Sequence, residues 1–198
     1  MLLADFVRLK KGECFLELGA GSGCLSFIVI DRQPECKGAL LVEIQGRLYD
    51  VLKENIERNN LGESVVLINN DIKNLPSLFP EKRNTFDVVI TNPPYIKKGE
   101  GRVSPNRERV IANTELYLSL EDIARVSSFF LKIRGRLYII YRSERLKELL
   151  SILSDFGLET KRLCFIYPRE DKGSKRVLLE ARKGGRPGIR VEPPIFLG

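Results

Sequence analysis

Short, nearly continuous apolar runs return at regular intervals along this chain, and each is followed by a stretch with helical spacing. Glu13-Cys14-Phe15-Leu16-Glu17-Leu18 reads as a buried strand that ends at Gly19. Cys24 to Arg32 reads as a helix, with Pro34 just beyond it. Ala39-Leu40-Leu41-Val42 is a second strand, ended by Glu43. Leu48, Val51, Leu52 and Ile56 then recur at helical spacing between Gln45 and Asn59. Val65 to Ile68 and Phe86 to Ile90 supply the third and fourth strands. Strands that are apolar at successive positions bury both faces. When they alternate with helices they form a mostly parallel sheet covered on both sides.

The second half continues the pattern. A helix is expected from Thr114, its N-cap, to about Lys132, then a fifth strand from Arg136 to Tyr141 and a helix from Ser143 to Phe156. Leu163 to Tyr167 and Arg176 to Ala181 are close enough in sequence to pair as an antiparallel hairpin. The expected fold is α/β: a doubly wound, mostly parallel seven-stranded sheet with a C-terminal antiparallel hairpin. Gly99 to Asn113, with two glycines, a proline and mixed charges, reads as a long loop. Gly184 to Gly198, with three prolines and four glycines, reads as an extended or frayed tail on a domain spanning 1–183.

Composition removes several chemistries. The chain has no histidine, which excludes His-ligated zinc and both Ser-His-Asp and Cys-His hydrolysis. Cys14, Cys24, Cys36 and Cys164 are scattered, without a Cys-x-x-Cys pair, so no metal site is expected. Amides, carboxylates, aromatics or a cofactor must carry any reaction. No apolar run approaches the roughly 20 residues needed to cross a bilayer, and Met1 to Phe6 lacks a basic n-region. A cytoplasmic protein without membrane attachment is the expectation; the oligomeric state stays open.

The net charge of +7 is unevenly spread. Glu159 to Arg190 holds ten Lys or Arg against four Asp or Glu, and Lys97 to Arg109 holds five against two. Charge runs are usually solvated faces, but two clusters, one beside a candidate site, point towards a polyanion.

That site is Asn92-Pro93-Pro94-Tyr95, which follows the apolar run Phe86 to Thr91. Two prolines end strand pairing and leave carbonyls free to accept. The Asn92 side-chain oxygen can accept as well, and Tyr95 offers a face for stacking. Together they suit a planar group bearing an NH2, although such a run alone is more often a turn. Glu17-Leu18-Gly19-Ala20-Gly21-Ser22-Gly23 forms a glycine-rich turn between the first strand and first helix, and it lacks a Walker lysine. Glu43 and Asp71 close the second and third strands, where an acid can bind ribose hydroxyls or an amino group, or simply cap a helix. Open α/β sheets bind ligands beyond the carboxyl ends of their strands. Gly19, Glu43, Asp71 and Asn92 all fall there.

These four elements resemble the Rossmann-like S-adenosylmethionine-dependent methyltransferases of class I. The stretch Lys97-Lys98-Gly99-Glu100-Gly101-Arg102-Val103-Ser104-Pro105-Asn106 is similar to the bacterial enzymes that modify N6 of adenine 37 in valine tRNA. The resemblance covers roughly residues 2 to 183. Against that family, Met1 to Phe6 looks like the end of an upstream segment, and Asn113-Thr114-Glu115 stands where Arg-His before a glutamate is usual.

The resemblance implies S-adenosylmethionine as cofactor, S-adenosylhomocysteine as product and tRNA as partner. Glu17, Gly19, Gly21, Gly23, Glu43, Asp71, Ile72 and Asn92 would serve the cofactor. Asn92, Pro93, Pro94 and Tyr95 would hold the target base. Lys97, Lys98, Arg102, Arg107 and Arg109 in the loop, with Lys172, Lys175, Arg176 and Lys183 near the hairpin, are the candidate RNA contacts. A protein glutamine N5-methyltransferase, another RNA or DNA amino-group methyltransferase, and a non-catalytic RNA-binding module are the competing readings.

Overall fold

A computed structural model describes residues 2–93 and 118–198. Among these residues one nine-stranded sheet organises the molecule. Its first four strands are β1 (Cys14–Leu18), β2 (Gly38–Glu43), β3 (Val65–Asn69) and β4 (Phe86–Thr91). The long strands β5 (Leu131–Arg142), β6 (Leu158–Tyr167) and β7 (Arg176–Lys183) follow. Two short strands, β8 (Arg190–Val191) and β9 (Ile195–Phe196), complete it. The order is β3-β2-β1-β4-β5-β7-β6, with β8 and β9 both paired to β6. Strands β1 to β5 are parallel, and β7 runs antiparallel between β5 and β6. The expected doubly wound sheet with its C-terminal hairpin is therefore present, with nine strands rather than the expected seven because the tail adds β8 and β9.

Six α-helices accompany the sheet among the described residues: α1 (Leu2–Phe6), α2 (Cys24–Arg32), α3 (Gly46–Arg58), α4 (Leu75–Leu78), α5 (Leu120–Phe130) and α6 (Leu146–Asp155). Side chains alternate between the two faces of each strand. Phe15, Tyr138 and Leu178 pack on one face with Leu3, Phe6, Leu25, Val29, Leu52 and Ile56. Leu16, Leu18, Leu137 and Leu179 pack on the other with Leu75, Ile123, Phe130, Leu149 and Leu153. This two-sided burial is the physical content of the continuous apolar runs.

Four elements differ from their sequence-based outlines, β6 among them, since it begins at Leu158, five residues before the expected Leu163. The helix expected from Thr114 to Lys132 is described from Leu120, because Ser119 and Asp122 form a reciprocal capping box; Thr114 itself lies outside the described residues. That helix stops at Phe130, and β5 starts at Leu131, five residues earlier than expected. There Leu131 pairs with Phe86, and the register shifts before Arg136 meets Val88, through Arg134 at φ +67°. The tail beyond Gly184 is extended as expected but docked, with Arg190 and Val191 opposite Arg162 and Leu163 and Ile195 and Phe196 opposite Ile166 and Tyr167. It covers an edge of β6 that would otherwise present unpaired backbone groups.

Arg162 ties several of these parts together. Its guanidinium bonds Glu180 at 2.7 Å and Glu192 at 3.0 Å and lies 4.2 Å from the Phe6 ring centroid. Strands β6 and β7, the docked tail and α1 are thereby joined through one side chain.

Candidate functional site

Strand register brings the candidate residues to one edge of the sheet. Leu18 lies opposite Val42 on one side and Thr91 on the other, and Val42 lies opposite Ile68. The residues that come next are Gly19, Glu43, Asn92 and Asn69. With neighbouring strands about 4.8 Å apart, Glu43, Gly19 and Asn92 span a front about 10 Å wide. The strand order reverses between β1 and β4, so Gly19 and Asn92 flank the crevice that such a switch point opens.

The glycine turn is held from several directions. Gly19 and Ala20 donate their N–H groups to the Val42 carbonyl at 3.0 and 2.9 Å, and Gly23 donates to Ala20 at 2.9 Å. The Asn55 amide of α3 donates to the Ser22 carbonyl at 3.1 Å. Gly19, Gly21 and Gly23 adopt φ values of +75°, +58° and +87°, which L side chains rarely tolerate. A Cβ on Gly19 or Gly21 would meet nothing within 4 Å, whereas one on Gly23 would lie 2.4 Å from Leu52 Cδ1. Gly23 is thus packed against α3, while Gly19 and Gly21 face open space where a ligand can approach the backbone.

Glu43 is almost fully buried, yet both its oxygens are used. Oε2 accepts from Gly21 N–H and Oε1 from Gln45 N–H, each at 2.8 Å. Each carboxylate oxygen has a further lone pair, an acceptor pair that fits the two hydroxyls of a vicinal diol. The Glu43 carbonyl accepts from the Asn69 amide at 2.7 Å and from Asn70 N–H at 3.2 Å, which links the end of β2 to the Asp71 turn. Asp71 caps the short turn Ile72–Asn74, accepting from Lys73 N–H at 2.9 Å, with the Lys73 ammonium 3.2 Å from its other oxygen. Ile72 is buried beside it.

Glu17 occupies a different place from the other candidates. It points from β1 into the face covered by α2, with only 1% of its surface exposed, and accepts a hydrogen bond from the Ser26 hydroxyl. Burial pushes its carboxyl up to about 8; the Ser26 hydrogen bonds oppose this rise and the nearby charge of Glu43 adds to it. Glu17 is a neutral acid behind the turn rather than a group on its open side.

Asn92 is exposed at the end of β4 and Pro93 is buried. Thr91 anchors them, donating its hydroxyl to the Leu18 carbonyl at 2.9 Å from a fully buried position. Pro94, Tyr95, Lys97, Lys98, Arg102, Arg107 and Arg109 lie outside the described residues. Lys172, Lys175 and Arg176 are exposed where β6 turns into β7, at the same edge of the sheet as Asn92.

Lys183 is not among them. It ends β7 at the opposite edge, about 23 Å from Arg176 along the strand. Its ammonium donates to Asn84 Oδ1 at 2.6 Å, to the Leu131 carbonyl at 2.9 Å and to the Ser128 carbonyl. Burial and the charge of Arg83 hold its pKa below the usual lysine value. This lysine satisfies the end of α5 rather than facing a polyanion.

Ser26, Asn55, Asn69 and Thr91 support the site without having been singled out from sequence. Only Thr91 left a trace there, as a lone hydroxyl closing an apolar run. Among the described residues no group of three or more His, Cys, Asp or Glu could hold a metal ion, and no helix is long and apolar enough to cross a membrane.

Similarity to known proteins agrees with this geometry. A family model described as "Conserved hypothetical protein 95" matches residues 4–116, more than half of the chain. A tRNA1(Val) (adenine(37)-N6)-methyltransferase of Porphyromonas gingivalis is 29% identical over 169 residues, covering 84% of this chain. The chain spans 64% of that relative's length. One of the same name from Histophilus somni is 27% identical over 180 residues, covering 90% of this chain and 72% of its own. Among solved structures, a predicted O-methyltransferase from Agrobacterium tumefaciens superposes with a TM-score of 0.76 at 20% identity, covering 99% of this chain and 86% of that one. Geranyl diphosphate C-methyltransferase from Streptomyces coelicolor, solved with Mg2+, geranyl diphosphate and S-adenosyl-L-homocysteine, gives 0.67 at 13%, covering 92% and 80%. Sheet order, strand-end site and matched residues agree: the chain has the class I methyltransferase fold and belongs to the "Conserved hypothetical protein 95" family.

Proposed function

We propose that this chain is a cytoplasmic S-adenosylmethionine-dependent methyltransferase acting on N6 of an adenine in tRNA, at position 37 of valine tRNA. The observation that carries the reading is the alignment of Gly19, Glu43 and Asn92 at the switch point of the sheet. The names of the relatives supply the substrate class.

Gly19 and Gly21 would let the cofactor approach the backbone, and Glu43 would accept from its ribose hydroxyls. Asp71 and Ile72 would bound its adenine, and buried Glu17 would brace the turn from behind. When bound, S-adenosylmethionine supplies an electrophilic sulfonium methyl and departs as S-adenosylhomocysteine. The adenine N6 lone pair is delocalised into the ring, which makes it a poor nucleophile. Acceptance of its two hydrogens by the Asn92 side-chain oxygen and the Pro93 carbonyl favours the pyramidal nitrogen of the transition state. Tyr95 would stack on the base once it is taken out of its own stack, offsetting part of an unstacking cost of a few kcal/mol. The proton released from N6 passes to solvent, so a chain without histidine suffices.

Incubation with methyl-labelled cofactor and unmodified valine tRNA, followed by nucleoside analysis, tests the proposal. Labelled N6-methyladenosine is expected. Label in a different nucleoside, or transfer only to a glutamine-bearing protein substrate, would refute it.

A further inference from the structure

The β6–β7 arm extends past the row of strand ends that carries Asn92. That row continues from Thr91 to Ile139, Leu179 and Leu163, and β6 runs on for four more residues to Tyr167. At about 3.3 Å per residue and 4.8 Å between strands, Tyr167 stands on the order of 20 Å from Asn92. Strand β9 docks at this tip, setting Phe196 opposite Tyr167, with the ring centroids 5.4 Å apart and the planes tilted by 34°. Leu197 N–H donates to the Tyr167 carbonyl at 3.0 Å and fixes the pair. Phe196 nevertheless stays 47% exposed.

The flank of this aromatic pair is basic. Arg169, Lys172, Lys175 and Arg176 outnumber Glu170 and Asp171 between Tyr167 and Val177. Asp171 holds Arg169 at 2.9 Å and lies 3.8 Å from Lys172, which groups the two cations while leaving both largely exposed. An exposed aromatic face beside clustered cations matches a single-stranded nucleic acid, whose bases stack while its phosphates are neutralised.

We infer that the tip formed by the β6–β7 turn and β9 is a second RNA-docking surface. An unpaired base of the substrate stacks on Phe196, backed by Tyr167, and Arg169, Lys172 and Lys175 engage the neighbouring phosphates. The inference rests on the reading of tRNA as substrate and assigns the docked tail a part in binding it. Substrate is then held at two places, the base at Asn92 and a neighbouring segment at the arm.

Binding of fluorescently labelled, unmodified valine tRNA to the full chain tests this independently of methyl transfer. Phe196→Leu keeps an apolar strand residue but removes the ring, and is expected to weaken binding about 5- to 100-fold. Phe196→Tyr should restore it, with cofactor affinity by calorimetry unchanged in both. The K172A/K175A double variant, which leaves the strand pairing untouched, should weaken binding and lower the slope of log affinity against log salt by about 1.5. Wild-type RNA affinity in Phe196→Leu, or an unchanged salt slope in the double variant, would overturn the inference. So would light scattering that finds a dimer lost in Phe196→Leu with RNA binding intact, since the tip would then join two copies of the chain. If Phe196→Leu binds RNA normally while the wild type still makes N6-methyladenosine, the arm is refuted and the proposed reaction stands. If the variants lose RNA binding but the product is a different nucleoside, the reverse holds.

Discussion

Glu17→Gln exchanges a buried acid for a neutral side chain of the same shape, and its consequence can be worked out from the fold. The carboxyl has an ordinary value of 4.5 and stands at about 8 in the folded chain, chiefly because it is buried. Between those values the folded state holds a proton that the unfolded state releases. The associated stability is complete below about pH 4.5 and is lost as pH rises through about 8. Each pH unit inside the window costs about 1.4 kcal/mol. From pH 6 to pH 8 the wild type therefore loses about 2 kcal/mol through this residue, the slope easing as the folded group itself ionises. The glutamine has no proton to release and can still accept from Ser26. Urea denaturation of both proteins at the two pH values isolates the effect, because every other titrating group is shared. The stability advantage of the variant should grow by about 2 kcal/mol between pH 6 and pH 8. A gap that stays constant would mean that burial does not hold the Glu17 proton, and the account of the turn's support would fail.

Asn92→Ala should leave cofactor affinity nearly intact while methyl transfer falls by orders of magnitude; equal loss of both would mean that Asn92 serves the cofactor alone. Gly21→Ala forces a side chain into φ +58° with no clash to relieve, so it should cost about 1–3 kcal/mol in thermal stability and weaken cofactor binding by calorimetry. Arg162→Ala leaves the buried Glu180 carboxylate with Arg182, 3.3 Å away, as its remaining cationic partner and should destabilise by about 2–3 kcal/mol in urea. A loss below about 1 kcal/mol would show that the pair contributes no more than a surface bridge. Thr91→Val removes one buried hydrogen bond and should cost about 1 kcal/mol, with a larger effect on turnover than on cofactor affinity.

Local sequence carried the elements whose boundaries depend on near neighbours. Cys24–Arg32 was legible as a helix because it lies between a glycine turn and Pro34. The strand ends at Gly19, Glu43 and Asn92 were legible because a glycine, a carboxylate and a proline pair each break an apolar run. The start of α5 depended on the Ser119–Asp122 box, which competes with an equally reasonable cap at Thr114. The residues from Leu131 to Gly135 were hidden because their strand character comes from pairing with Phe86, about forty-five positions earlier. The basic C-terminal cluster looked uniform in sequence. Antiparallel pairing sent Arg176 and Lys183 to opposite edges of the sheet.

The chain's own pattern determined the class of fold and the composition of its candidate site. Two-faced apolar strands permit little besides a covered parallel sheet, and the chemistry of Gly19, Glu43, Asp71 and Asn92 belongs to the side chains themselves. Tertiary structure decided which of these groups meet and in what state. Register set Glu43 against the Gly21 amide, and burial against α2 kept a proton on Glu17. Pairing with β6 turned a proline-rich tail into a strand that carries Phe196 to the tip of the arm. The reason is one of range: propensity and periodicity act over a few residues, whereas register and desolvation arise only when distant segments share one sheet.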